Sequence, residues 1–125
     1  MLQGVACPSA TTFSATTCEA VGSNSLGQGM VVPITNGSPG TAQAVSGTIY
    51  ALQGVACPSG TTCEAVGYNS SFQGAVVPVT NGTPGTAQAV SGTSQLFGVA
   101  CPSATTCEAV GFHLGQGVAV TITQP

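Results

Sequence analysis

Residues 52–67 read Leu52-Gln-Gly-Val-Ala-Cys57-Pro-Ser-Gly-Thr-Thr-Cys63-Glu-Ala-Val-Gly67, and this stretch decides the fold because the chain carries it three times. It opens at Leu2 as Leu2-Gln-Gly-Val-Ala-Cys7-Pro-Ser and again at Leu96 as Leu96-Phe-Gly-Val-Ala-Cys101-Pro-Ser. Each copy runs on through Thr-Thr-Cys-Glu-Ala-Val-Gly and ends at Gly22, Gly67 and Gly111, spaced 45 and 44 residues apart. The first copy holds five extra residues between its cysteines, where Ser-Ala-Thr-Thr is duplicated. A fixed internal period of this length is the mark of a repeat architecture. The expected units are 1–50, 51–94 and 95–125, one continuous repeat domain, with a Gly-Thr pair before each Leu or Phe as the boundary.

Each unit predicts four short strands. In the second unit strand a covers about Leu52 to Cys57, strand b Thr62 to Gly67, strand c Gly74 to Thr80 and strand d Thr86 to Gly92. Between c and d stands Asn81-Gly-Thr-Pro-Gly85, matching Asn36-Gly-Ser-Pro-Gly40. Asn-Gly accepts positive φ at both turn positions and is a strong hairpin signal. Val and Thr favour strands, and no segment keeps a helical period. The run Gly74-Ala-Val-Val-Pro-Val does not alternate, as expected of a strand covered on both faces. One four-stranded antiparallel unit every 44–45 residues is the spacing of a β-propeller blade, here about three blades with the last incomplete. Pro33 and Pro78 sit inside strand c, where a missing N–H predicts a bulge or a position facing no partner. A β-solenoid is the runner-up, though its coils are commonly shorter and need no Asn-Gly hairpin.

Composition narrows the function. The 125 residues contain no Lys, Arg or Asp, and the only acids are Glu19, Glu64 and Glu108. Only 2% of residues are charged, against roughly a quarter in an ordinary soluble domain. Nucleic-acid binding rests on cations that neutralise phosphates, and none exist here. A basic patch for anionic lipid is excluded on the same ground. Every apolar stretch is broken well short of the ~18 residues of a membrane span. The absence of Lys and Arg also leaves trypsin-like proteases nothing to cut.

The motif Cys-Pro-Ser-x-Thr-Thr-Cys-Glu-Ala-Val-Gly, followed by Val-Thr-Asn-Gly-Thr-Pro-Gly-Thr-Ala-Gln, resembles repeats of bacterial secreted or surface proteins that look like β-propeller blades. The resemblance covers nearly the whole chain. It implies a fold and a location more than an activity. The sialidase-type Asp-box needs an aspartate, so that enzymatic branch of propellers gains no support from this chain.

The six cysteines fall into three local pairs, Cys7 with Cys18, Cys57 with Cys63 and Cys101 with Cys107. The repeat favours disulfides within each unit, stapling the end of strand a to the start of strand b, and hence an oxidising, extracellular compartment. The competing reading is zinc, but knuckles space their cysteines more closely and only His113 could assist. Glu19, Glu64 and Glu108 share one position after the second cysteine. They are read either as a carboxylate ring for Ca²⁺ or as strand-end residues bonded to backbone N–H groups, and the second reading is favoured. No metal or other cofactor is therefore expected. His113 has no acid or nucleophile beside it in sequence and is expected in a surface loop, which leaves no catalytic centre. Tyr68 and Phe112 occupy equivalent positions, where the first copy has Ser23; they suit either sugar stacking or blade packing. Asn36, Asn69 and Asn81 stand in Asn-x-Ser/Thr patterns, although turn chemistry already accounts for two of them.

Met1 runs directly into the first repeat, so a trimmed chain is expected, and the third unit stops after strand c at Gln124-Pro125. Its strand c, comprising Gly117, Val118, Ala119, Val120, Thr121, Ile122 and Thr123, is expected to offer an unpaired edge for assembly. Two functions follow. One is an extracellular structural protein that associates with itself, by blade packing or strand addition, into an oligomer or filament. The other is a lectin-like or adhesive module for glycans or proteins.

Overall fold

The computed structural model describes residues 2–7, 17–45, 49–59 and 61–123. The described residues form strands, turns and loops without a helix, arranged as three antiparallel sheets, one per repeat. The first sheet contains β1 (Leu2–Ala6), β2 (Thr17–Ser23), β3 (Gly29–Thr35), β4 (Ser38–Pro39) and β5 (Gln43–Ala44). The second contains β6 (Ile49–Ala56), β7 (Thr62–Asn69), β8 (Gly74–Thr80), β9 (Thr83–Pro84) and β10 (Gln88–Ala89). The third contains β11 (Gln95–Ala100), β12 (Thr106–His113) and β13 (Gln116–Thr123). Each is a meander of sequence neighbours, which is not the rung pattern of a β-solenoid.

Local chemistry explains the meander. Asn36 and Gly37 have φ of 51° and 80°, and Asn81 and Gly82 repeat these values, so both turns return the chain in two residues. The preceding connection closes differently. Asn69 Oδ1 accepts from the Ser71 and Gln73 amides, and Asn24 does the same for Leu26 and Gln28. In the third repeat Leu114 and Gly115, at φ of 52° and 83°, make a two-residue turn instead.

Strand d is not the continuous Thr86-to-Gly92 strand that the sequence suggests. β9 pairs the end of β8 with Val79 opposite Pro84, and β10 pairs its start with Val76 opposite Gln88, one residue out of register. Pro78 sits at the break. It has no N–H to give, while its carbonyl accepts from Gly85 at 2.7 Å. The partner strand therefore bulges and resumes after the gap. Pro33 and Gly40 repeat this in the first sheet. Strand a of the second unit begins at Ile49, earlier than expected. The duplicated Ser-Ala-Thr-Thr except Thr17, the Gly47-Thr48 boundary and Gln124-Pro125 lie outside the described residues.

The core lies between the sheets. One cluster joins Val21 and Val31 of the first sheet to Leu52, Val55, Cys63, Ala65, Val77 and Val79 of the second. Another joins Val66 and Val76 of the second to Leu96 and Ala109 of the third. The middle sheet is thus covered on both faces, which is why its strands read as unbroken apolar runs.

Candidate functional site: the two outward faces

Strand alternation gives each sheet two unlike faces. Direct cross-strand pairs on the front of the first sheet are Glu19 with Pro33 and Val21 with Val31; on the back they are Cys18 with Ile34 and Ala20 with Val32. The second sheet repeats this with Glu64 and Pro78, Val66 and Val76 in front, and Cys63 and Val79, Ala65 and Val77 behind. Within the chain, front meets back at both junctions. A Cβ added to Gly54 would stand 2.7 Å from the Phe97 carbonyl oxygen, and one added to Gly4 would stand 3.3 Å from that of Gln53. The first strands of successive sheets therefore approach backbone to backbone at a glycine.

At the ends of the stack several of the same positions are exposed, although Ala20 on the back of the first sheet stays buried. Leu52 and Leu96 are 0% exposed and Val55 is 9% exposed, whereas their counterparts Leu2 and Val5 are 59% and 61% exposed. Val21 and Val66 are 0% exposed on their fronts, and Val110 is 52% exposed on the third. Gly98, the counterpart of Gly4 and Gly54, has only its own sheet's Val110 beside it. β13 spans the Gly117-to-Thr123 segment and, among the described residues, pairs with β12 alone. Beside it, a cavity of about 400 Å³ opens between the second and third sheets, lined in part by Thr62, Glu64, Pro78, Gln88 and Ile122. At the first junction the β8–β9 turn reaches back instead, and Gln43 Nε2 donates to the Gly82 carbonyl at 3.3 Å.

The three glutamates lie within strand b rather than at its end, and coverage by the next sheet sets their states. Glu19 and Glu64 are buried, Glu108 exposed. Burial pushes the Glu19 carboxyl above its ordinary pKa, and its Oε1 has no hydrogen-bond partner. Glu108 accepts from Thr121 Oγ1 at 2.8 Å, a bond that the proline in the other two copies cannot supply. Among the described residues no three His, Cys, Asp or Glu side chains gather to hold a metal ion.

All three predicted disulfides form, with Cα–Cα distances of 4.2, 3.9 and 3.9 Å for Cys7–Cys18, Cys57–Cys63 and Cys101–Cys107. They point to an oxidising environment. His113 ends β12 rather than lying in a loop, and its Nδ1 is 3.3 Å from Ser94 Oγ. Tyr68 joins Tyr50 and Phe72 in a cluster of ring centroids 6.1–6.3 Å apart. Phe112 pairs with Phe97 at 5.4 Å. Phe72 holds φ of 57° where the first repeat has Gly27 at 74°, and its ring is exposed.

The exposed apolar set Leu2, Val5 and Val110 is absent from the sequence-based candidates. Aligning the three repeats brings it out, because each residue is exposed where a counterpart in another repeat is buried. No protein-family model matches the chain, and a search of characterised proteins finds no match.

Proposed function

We propose that this is an extracellular structural repeat protein whose copies join head to tail, the front of the third sheet on one copy receiving the back of the first sheet on the next. The observation that carries the reading is the exposure of Leu2 and Val110 at positions buried at both internal junctions, and of Val5 at a position buried at the first. Covering what remains exposed of each side chain stabilises the contact by about 1 kcal/mol apiece. The outward faces carry neither Lys nor Arg to oppose the approach of another chain. Front and back differ, so the contact is heterologous: it closes a ring or propagates as a filament. The meanders, their period and the resemblance to bacterial secreted repeats all support a propeller-type arrangement, in which two copies would supply a ring of about six blades. No catalytic step enters this reading.

Sedimentation velocity across a concentration series tests the assignment. Mass-action growth is the expected result, and a monodisperse monomer at micromolar concentration overturns it.

The aromatic cluster supports a second reading, a carbohydrate-binding module. A non-glycine residue at positive φ stores backbone strain of order 1 kcal/mol, and such strain concentrates at functional sites. Phe72 carries that strain while exposing its ring beside Tyr50 and Tyr68. A glycan array that retains the wild type and loses F72G would favour it; no retention would remove it.

A further inference from the structure

We propose that the junction between copies takes up a proton at Glu108, so that acid favours association of the chain; this deepens the head-to-tail reading and rests on it. Glu108 occupies the front-face position held by Glu19 at the first internal junction. There the carboxylate is 3% exposed, Oε1 finds no hydrogen-bond partner, and Gly82 in the turn of the following repeat lies over it. A second copy seated in the same register would lay its own Asn36-Gly37 turn over Glu108.

A buried carboxylate is tolerated when a cation or several donors meet it, and otherwise it keeps its proton. Among the described residues no side-chain cation is at hand. The chain has no Lys or Arg, and the single imidazole, His113, ends β12 five residues beyond Glu108 with Nδ1 beside Ser94. Of the strands flanking Glu108 in its own sheet, β11 carries no ionisable side chain and β13 contributes only the Thr121 hydroxyl. Among its described residues the incoming back face brings Leu2, Val5, Val32, Ile34 and a disulfide-bonded Cys18, none of which titrates. The single Thr121 bond eases the burial of Glu108 without cancelling its charge. The rise in the Glu19 pKa through burial shows the direction in which such a site moves.

Proton linkage follows. Association raises the affinity of Glu108 for its proton, so each junction binds up to one proton and tightens as pH falls. With one proton bound per junction the dependence is at most about tenfold in dissociation constant per pH unit, between the titration ranges of the free and the assembled carboxyl, and it flattens on either side.

The test is sedimentation velocity of the full chain at several concentrations between about pH 4 and about pH 7, spanning the carboxylate range, with Glu108→Gln and Glu19→Gln beside the wild type. The expected result is acid-strengthened association of the wild type. E108Q should associate at neutral pH about as tightly as the wild type in acid, with no remaining pH dependence. E19Q should keep the wild-type pH dependence of association, since Glu19 is already buried within one copy. Association that is equally strong at every pH in wild type and E108Q would overturn the proton linkage and leave the head-to-tail reading standing. A chain that stays monomeric at every pH, with or without E108Q, would overturn both.

Discussion

Leu2, Leu52 and Leu96 are one residue of the repeat in three environments, and truncating each to alanine separates burial from sequence. Leu52 lies in the cluster between the first two sheets and Leu96 in the cluster between the last two, both fully buried. Truncation of such a leucine loses the transfer free energy of the missing carbons and leaves a cavity, together costing about 2.5–5 kcal/mol. Around Leu52 collapse is opposed by β-branched neighbours, including Ile49, Val55 and Val77. L52A therefore belongs in the upper half of that range. Leu2 keeps more than half of its surface in water, so L2A should cost under about 1 kcal/mol in the monomer. Urea unfolding followed by circular dichroism, at concentrations too low for association, gives the three values directly. L52A and L96A should lower the midpoint strongly while L2A scarcely moves it, and L2A should weaken association at higher concentration. Three equal costs would refute the reasoning, because they would mean that Leu2 is as deeply packed as its counterparts.

Mapping a non-reduced digest with a protease other than trypsin should recover only the three within-repeat disulfides, and any linkage between repeats would contradict the sheet assignment. Replacing Cys57 and Cys63 by serine opens a short loop and should cost about 2 kcal/mol in urea titrations. Glu19 is protonated more readily in the folded chain than in the unfolded one, so its stabilising contribution is complete at low pH and is lost as pH rises through the folded value. E19Q should accordingly raise the melting temperature at neutral pH and flatten its decline from acid to neutral; an unchanged profile would show that the carboxyl finds partners. Adding a side chain at Gly54 by G54V should destabilise by more than about 2 kcal/mol, since its Cβ meets the Phe97 carbonyl backbone, whereas G98V should fold normally and block association.

Much of this fold was legible because the repeat shows each feature more than once. Strand c of the second unit runs from Gly74 to Thr80 as its β-branched run and Asn-Gly terminator indicate. The within-repeat cysteine pairing and the disturbance at Pro33 and Pro78 were also readable. Splitting of strand d was not, because Thr86 and Ala87 are ordinary strand residues. The break comes from the N–H that Pro78 lacks on the neighbouring strand. The state of each glutamate was equally hidden, since Glu19, Glu64 and Glu108 have the same local sequence and differ only in what lies over them. Phe72 gave no local sign of positive φ, and only its alignment with Gly27 could have raised the suspicion.

The most direct test of head-to-tail joining uses two end-blocked chains. A chain carrying Leu2→Glu and Val5→Glu keeps a usable front on its third sheet, and a chain carrying Val110→Glu keeps a usable back on its first. All three positions are more than half exposed, so both chains should fold. Analytical ultracentrifugation of each alone should show monomer, and an equimolar mixture should show a one-to-one dimer that grows no further. Assembly of either blocked chain by itself, or a mixture that remains monomeric, would contradict the account.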